Sequence, residues 1–484
     1  YEKQIPYEQM VVLTFTNKAA DEIKERLYAL EPEIAEEQLW GFGTFHSVCL
    51  TMLKKMLPVE NLGYTKEFMV MDPDEELGMA EQLILTYQLK IKYKNRLKKR
   101  LEQKSAINGK AGVAIMSGML NEEKIRNLVI KHYNSITCEN EMKPEIILGD
   151  VPVFRVDTEG NICLDENGDP VLTLDFSKAD KIMDFIKKHN EKNPDDTIRV
   201  RGHVLVWHSQ TPDWFFREKY DSQGAYVGKE KMLKRLENYI QKVLEHYDGV
   251  NSPYRGIIYA WDVVNEQIEP DDFHPEKNPG SVRYTCNNKN TGWYNIFQGD
   301  ISYITQSFVF ANRYAPNDIK LFYNDYNDAD PVKRDAICVL LRQIKDTKGA
   351  RIDGMGMQAH YHMEFPSIEQ IREAVYMYSS IVNEIQFTEF DMQSSKSYDG
   401  SDRELELERE GARYKELFRT IYSLDKEDKI NITGVTFWGT HDAVSWLQVA
   451  ALVGGGSDGN RPQMPLPFDD ACNEKPAFWG IIDA

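Results

Sequence analysis

The sequence predicts an α/β protein, a (β/α)8 TIM barrel over residues 105–484 behind a small α/β segment over residues 1–104. Three observations predict it. A strand-like run followed by a helix-like run recurs eight times beyond residue 110, nearly every such strand ends in polar groups, and the chain changes character near residue 104.

The strand-like runs are 111–116, 134–138, 198–207, 257–266, 319–324, 353–360, 384–389 and 432–438. They are short and rich in Ile, Val, Tyr and Phe, and amphipathic stretches such as 229–246, 331–348 and 404–423 separate them. Eight such units fit a barrel with loop insertions; a doubly wound open sheet is the rival pattern. Glu139 and Asn140 end the second run, His203 and Trp207 the third, Asn265 and Glu266 the fourth, Asn324 and Tyr326 the fifth. Gln358 and His360 end the sixth, Glu389 and Asp391 the seventh, Trp438 the eighth. In a parallel barrel these ends converge on one face, where barrels of this kind build their sites. Two segments break the rhythm: 146–173, with Asn167-Gly168 as a turn signal, reads as a hairpin-bearing insertion, and 454–467 as a mobile loop.

The formal net charge is −19, split between 15 basic and 17 acidic residues in 1–104 and 43 against 60 beyond. That balance argues against a nucleic-acid partner, which draws its affinity from neutralised phosphates. Six scattered cysteines, Cys49, Cys138, Cys163, Cys286, Cys338 and Cys472, show neither a zinc spacing nor a disulfide framework and read as mostly buried thiols. No apolar run is long enough to span a membrane. The first residues, YEKQIPYEQM, lack the pattern of a signal peptide, which leaves the compartment open, with an extracellular setting the expectation for the barrel.

Paired carboxylates on different strands of one barrel suit glycosidic hydrolysis, which needs an acid for the leaving oxygen and a carboxylate at the anomeric carbon. Glu266, after Asn265 in YAWDVVNE, is the candidate acid; Trp261 and Trp438 are expected to surround it and raise its pKa by excluding water. Glu389 in FTEFD is the candidate nucleophile, kept ionised by His360 with Asp391 behind it. A metal reading of His360, His362 and His441 lacks a third ligand at suitable spacing, so no metal and no cofactor is expected. Trp207, Trp214, Trp438 and Trp446, interleaved with His203, His208, Gln210, His441 and Asp442, suit sugar rings, which offer CH faces and OH edges.

The strings NSITCENEMKPE, RGHVLVWHSQTPDWF, WDVVNE, FYNDYN, GMGMQAHYH, FTEFD, VTFWGTHDAVSW and PFDDACNEKPAFWG resemble glycoside hydrolase family 10, the endo-β-1,4-xylanases, over about 110–483. The resemblance implies a retaining xylanase acting on xylan and xylo-oligosaccharides, with Glu266 as acid/base, Glu389 as nucleophile, and His360 and Asp391 in support. It implies that Asn265 bonds the sugar 2-hydroxyl, and that Glu139, Asn140, Lys143, His203, Trp207, Gln210, Gln358, Trp438 and Trp446 line the non-reducing-side subsites. Retention through a covalent intermediate implies carboxylates about 5 to 5.5 Å apart. A xylan-binding barrel without strong activity is the alternative, opposed by the intact glutamate pair.

In the leader, VLTFTNKAADEIKERL and GTFHSVCLTMLKK resemble two segments of a UvrD-type superfamily 1 DNA helicase. No GxxxxGK[ST] phosphate loop accompanies them, so residues 1–104 are expected to be a truncated passenger rather than an ATP-driven motor or helicase accessory fragment. The expected order is strand, helix, helix and a basic run, 90–104, forming a solvated helix face.

Overall fold

The computed structural model describes residues 6–7, 10–14, 17–44, 47–48, 51–52, 97–104, 109–165, 168–274, 276, 278, 280–448 and 461–484. They belong to two compact units, Tyr1–Lys92 and Tyr93–Ala484. In the smaller unit β1 (Val12–Thr14) runs into a helix over Asn17–Leu30, as the sequence suggests, and β2 (Phe42–Thr44) lies parallel to β1. Ala20, Leu39 and Phe42 are buried there. The expected second helix falls largely outside the described residues.

The larger unit is a closed parallel barrel. Its strands are β3 (Lys110–Ile115), β4 (Ser135–Cys138), β5 (Arg199–Trp207), β6 (Ile258–Asn265), β9 (Lys320–Asp325), β10 (Gly354–Met357), β12 (Glu384–Gln393) and β13 (Ile432–Phe437). A small antiparallel ladder, β7 (Thr285–Cys286) with β8 (Lys289–Asn290), occupies the connection after β6, and β11 (His360–His362) extends the sixth barrel strand along β12. Each barrel strand pairs in parallel with its neighbours in chain order, and the pairings β10–β12 and β13–β3 close the ring. The predicted strands are found within one or two residues, with two differences of substance. The sixth breaks at Ala359, whose φ is +60°, and the seventh runs on to Gln393, so that His360 stands opposite Asp391 and His362 opposite Gln393.

The helices cover the barrel with one apolar face each. Over Lys229–Asp248, Met232, Leu236, Tyr239, Ile240, Val243, Leu244 and Tyr247 are buried at helical spacing. Asp330 opens Pro331–Asp346 by accepting from the backbone of Val332 and Lys333, with Pro331 in the first turn, where its missing N–H costs nothing. Arg403–Leu424 and Pro476–Ile482 meet at Gly411, where an added Cβ would stand 2.8 Å from Pro476, so only glycine permits the approach.

The insertion over 146–173 contains three antiparallel bridges, Phe154–Leu172, Val156–Ile162 and Leu164–Pro170, so the hairpin expectation is met; Asn167 itself lies outside the described residues. It docks on the barrel through Asp169, whose carboxylate pairs with Arg235 at 2.7 Å and Lys231 at 2.9 Å. Of the expected mobile loop after β13, residues 454–460 lie outside the described residues. Among the described cysteines, all free, Cys138 and Cys338 are buried, whereas Cys163, Cys286 and Cys472 are only partly so, fewer than expected.

The basic run does not end as a solvated face. Its last part is the helix Leu97–Lys104, which belongs to the barrel unit and buries Leu97, Lys98 and Leu101. Lys98 Nζ donates to both oxygens of Asp196 at 2.6 and 2.8 Å and to the Ile130 carbonyl at 3.0 Å. The barrel unit therefore starts at Tyr93 rather than near residue 105. A chain beginning at Tyr93 is expected to keep the thermal stability of the barrel. One beginning at residue 105 loses two buried leucines and is expected to be less stable by about 3–5 kcal/mol in denaturant titration; equal stability of the two would contradict this packing.

Candidate active site

The C-terminal ends of the strands open into a cleft of about 580 Å3. Glu139, Asn140 and Lys143 line it from the end of β4; His203, Trp207 and Gln210 from β5; Asn265 and Glu266 from β6; and Gln358, His360, Glu389, Trp438 and Trp446 from the remaining side. These are the site residues expected from the sequence, all but Asp391, which is fully buried behind His360. Tyr326, Asn327, His362 and Gln393 complete the wall. Trp214 is core, packed edge-on against Phe215 and Tyr220, and does not line the cleft.

A chain of amides joins the two carboxylates. Asn324 Nδ2 donates to Glu389 Oε1 at 2.7 Å and to Asn265 Oδ1 at 2.9 Å, and Asn265 Nδ2 donates to Glu266 Oε1 at 3.2 Å. Gln358 Nε2 spans Asn265 Oδ1 at 3.1 Å and Glu266 Oε1 at 2.8 Å. Thr388 Oγ1 donates to Asn324 Oδ1 at 2.6 Å, which leaves the Asn324 amino group to face Glu389. Sequence spacing does not reveal the place of Asn324, Gln358 and Thr388 in this network, which runs from Asn265 to Glu389 across three other strand ends.

The other oxygen of each carboxylate has its own partner. His360 Nε2 contacts Glu389 Oε2 at 3.3 Å, and its Nδ1 contacts Asp391 Oδ1 at 2.9 Å. Burial alone would lower the His360 pKa, but Asp391 and Glu389 override it and push the imidazole up to about 10, so the ring is a cation with both N–H groups donating. Trp446 Nε1 donates to Asp391 Oδ2 at 2.8 Å. On the opposite side Trp207 Nε1 donates to Glu266 Oε2 at 2.9 Å, and His208 Nε2 stands 4.0 Å from the same oxygen.

The expected aromatic cage around Glu266 is not formed as proposed from the sequence. Trp261 faces out of the barrel, fully buried, and donates to Asp248 Oδ2 at 3.0 Å; its ring fills the space left by Gly202, where a Cβ would stand 2.3 Å from the indole. Trp438 packs edge-on against His203 and His360. The Glu266 pKa is correspondingly not raised. Burial pushes it up, but His208, the donors Gln358 and Trp207, and Lys333 together hold it below the ordinary value. Burial lowers His208 itself to about 4. Above that pH His208 is a neutral imidazole, and the donors Gln358 and Trp207, with Lys333, hold the Glu266 carboxyl down.

Glu266 has a left-handed backbone, φ +55°, unusual for a residue with a side chain, and the surroundings hold it there. Its N–H donates to the Asn324 carbonyl at 2.9 Å, and its own carbonyl accepts from Arg283 Nε at 3.1 Å. At the end of β4, Glu139 keeps one oxygen buried with no hydrogen-bond partner, and burial pushes its pKa up to about 7 against the pull of Lys143. Lys143 Nζ donates to Asn140 at 3.0 Å and Gln210 at 3.1 Å. Buried polar oxygens of this kind call for a hydroxyl donor.

Known proteins resemble this chain over the same region. The profile of glycosyl hydrolase family 10 matches residues 100–484. Endo-1,4-beta-xylanase B of Butyrivibrio fibrisolvens is 36% identical over 376 residues, covering 78% of this chain and 51% of that protein. Endo-1,4-beta-xylanase A of Thermotoga maritima is 38% identical, with 30% of its length covered. The chain thus spans about half of the first relative and under a third of the second, but it covers 94% of endo-1,4-beta-xylanase B of Paenibacillus barcinonensis, at 35% identity over 77% of this chain. Among solved structures, the CBM22-1–GH10 modules of xylanase 10B from Clostridium thermocellum, complexed with xylohexaose, superpose with TM-score 0.64 at 30% identity, covering 80% of this chain and 67% of that one. Xylanase B from Clostridium stercorarium F9 gives TM-score 0.60 at 32% identity, covering 80% and 99%. The barrel, the cleft at its C-terminal face and the matched profile agree: the chain belongs to glycosyl hydrolase family 10.

Proposed function

We propose that the barrel is a retaining endo-1,4-β-xylanase, with Glu389 as nucleophile and Glu266 as acid/base. The observation that carries this reading is the pair of cleft carboxylates joined through Asn265 and Asn324 yet supplied with unlike partners. Glu389 attacks the anomeric carbon as the glycosidic bond breaks, and the leaving oxygen keeps the bonding pair and takes the proton of Glu266, which reacts in its protonated form although its donors favour the carboxylate in the free enzyme. Glu266, now a carboxylate, removes a proton from water, whose oxygen attacks the same carbon and releases Glu389. His360 stabilises the charge on Glu389, and the second hydrogen of Asn265 Nδ2 is free for the sugar 2-hydroxyl. Glu139, Asn140, Lys143, His203, Trp207, Gln210, Gln358, Trp438 and Trp446 serve as the subsites on the non-reducing side.

For residues 1–92 we propose a passenger without a part in the hydrolysis. The reading of this leader as a helicase fragment rests on the two sequence segments alone, while the family profile begins at residue 100. Removing residues 1–92 is expected to leave kcat/KM on xylan unchanged; DNA-stimulated ATP hydrolysis by the full chain would contradict the passenger reading.

Glu389→Ala is expected to have no measurable turnover on linear xylan, whereas Glu266→Ala turns over slowly and is accelerated by azide on aryl xylobiosides. Proton NMR of the first product is expected to show the β-anomer; an α-anomer would rule out the double displacement. Replacing Trp207 by Phe removes a donor to the ionised form of Glu266 and so raises its pKa. The alkaline limb of kcat/KM should then move to higher pH, and a limb moving down would show that the hydrogen bond has the opposite effect.

A further inference from the structure

Trp446 touches the relay directly, donating to Asp391 and meeting His360 edge-on at 5.1 Å. It opens a helical turn over residues 446–448, just after the short turn Asp442–Val444 that follows β13. The bonds within a helical turn order its own backbone but do not fix where it sits against β12, so they alone do not keep the indole in register with a carboxylate. Something else must hold it.

Behind that segment, and outside the cleft wall, Lys475, Glu410 and Asp442 form a cluster whose members are 3%, 4% and 1% exposed. Lys475 Nζ lies 2.9 Å from Asp442 Oδ2 and 3.2 Å from Glu410 Oε2, and donates to the carbonyls of Met464 and Leu466 at 2.6 and 2.7 Å. The other oxygen of Asp442 accepts from the Leu466 N–H at 2.9 Å. Tyr414, one turn from Glu410, donates to the Pro465 carbonyl at 2.6 Å, and that carbonyl also accepts at 3.1 Å from the N–H of Met392, the neighbour of Asp391. The contact at Gly411 and Pro476 is what brings Glu410 and Lys475 into one site.

We propose that Glu410, Asp442 and Lys475 form the clamp that sets Trp446 against Asp391, making them positioning residues for the nucleophile and its histidine. The proposal rests on the assignment of Glu389 made above. It has a pH consequence, because the cluster sets two carboxyl groups against one ammonium in a dry site. Burial and the facing Asp442 push Glu410 upward against the pull of Lys475, and Glu406 on the same helix adds to the push. Asp442 is raised in turn by burial, with Asp470 adding to the effect, and the phenol of Tyr414, facing Glu410, Asp442, Asp391 and Tyr133, stays protonated. A carboxyl group raised in the folded state favours folding while it is protonated. Its contribution declines as pH rises from the ordinary carboxylate range through the raised value. Once ionised, Glu410 competes with Asp442 for Lys475, and the segment loosens.

The test uses dinitrophenyl β-xylobioside, whose leaving group needs no proton, so the alkaline limb no longer reports Glu266. In the wild type kcat/KM should fall before the ionisation of His360 is reached. Glu410→Gln cannot ionise, and its limb should lie about one pH unit or more higher. Lys475→Met leaves two carboxyl groups facing each other and should lower kcat by about tenfold with little change in KM, the loss of ~1.4 kcal/mol of positioning in the transition state. A Glu410→Gln profile that superimposes on the wild type overturns the proposal, whether or not Lys475→Met folds. Thermal midpoints against pH separate a failed clamp from a failed assignment of the nucleophile. A Gln variant with the wild-type pH dependence of its midpoint removes the clamp, whereas a wild type inert toward the xylobioside removes the reading of the site on which the clamp rests.

Discussion

Two carboxylates in one cleft repel each other, and that repulsion is the constraint around which the mouth of the barrel is built. At the separation of about 5 Å that a retaining pair requires, and an effective dielectric constant of about 20, the repulsion is roughly 3 kcal/mol. Hydrogen bonds to charged groups contribute about 1.5–3 kcal/mol each. Glu389 accepts from Asn324 and from the His360 cation, and Glu266 accepts from Gln358, Asn265 and Trp207. The donors are numerous enough to hold both charges, and they do so only because strands β6, β9, β10 and β12 are neighbours in the ring.

The donors are also unequal, and the inequality separates the roles. A doubly bonded imidazolium gives Glu389 a full positive charge at close range, backed by Asp391 and the indole of Trp446. Glu266 receives neutral donors and stands on a left-handed backbone at the strand end, with half-buried Trp207 beside it. Substitution in the amide chain would therefore disturb both carboxylates together, while substitution at His360 or Trp207 acts on one side.

Much of this was legible in the sequence. Strand ends rich in polar side chains, spaced over eight units, located the cleft, and the same-face alternation of Glu389 and Asp391 was visible as a spacing of two. The same rule, applied further, reaches Gln393 on that face, which the structure places in the cleft wall. Trp261 fails as a companion of Glu266 because it faces outward into the space left by Gly202, and the register irregularity in β6 between Asp262 and Val264 breaks a simple alternation count along that strand. The burial of Leu97 and Leu101 within a basic run was present as a four-residue apolar spacing but was outweighed by the surrounding charge. The amide chain through Asn324 and Gln358, and the Glu410–Lys475 contact, were not legible, because they depend on which strand ends and helices meet across long stretches of chain.

The central claim is that Glu389 forms the covalent bond to sugar. Inactivation with a fluorine-bearing xylobioside that arrests the glycosyl-enzyme, followed by peptide mass spectrometry, tests it most directly. The label should be found on Glu389, in a stoichiometry of one per chain. A label on Glu266 or any other residue, or turnover without an arrested adduct, would contradict the account.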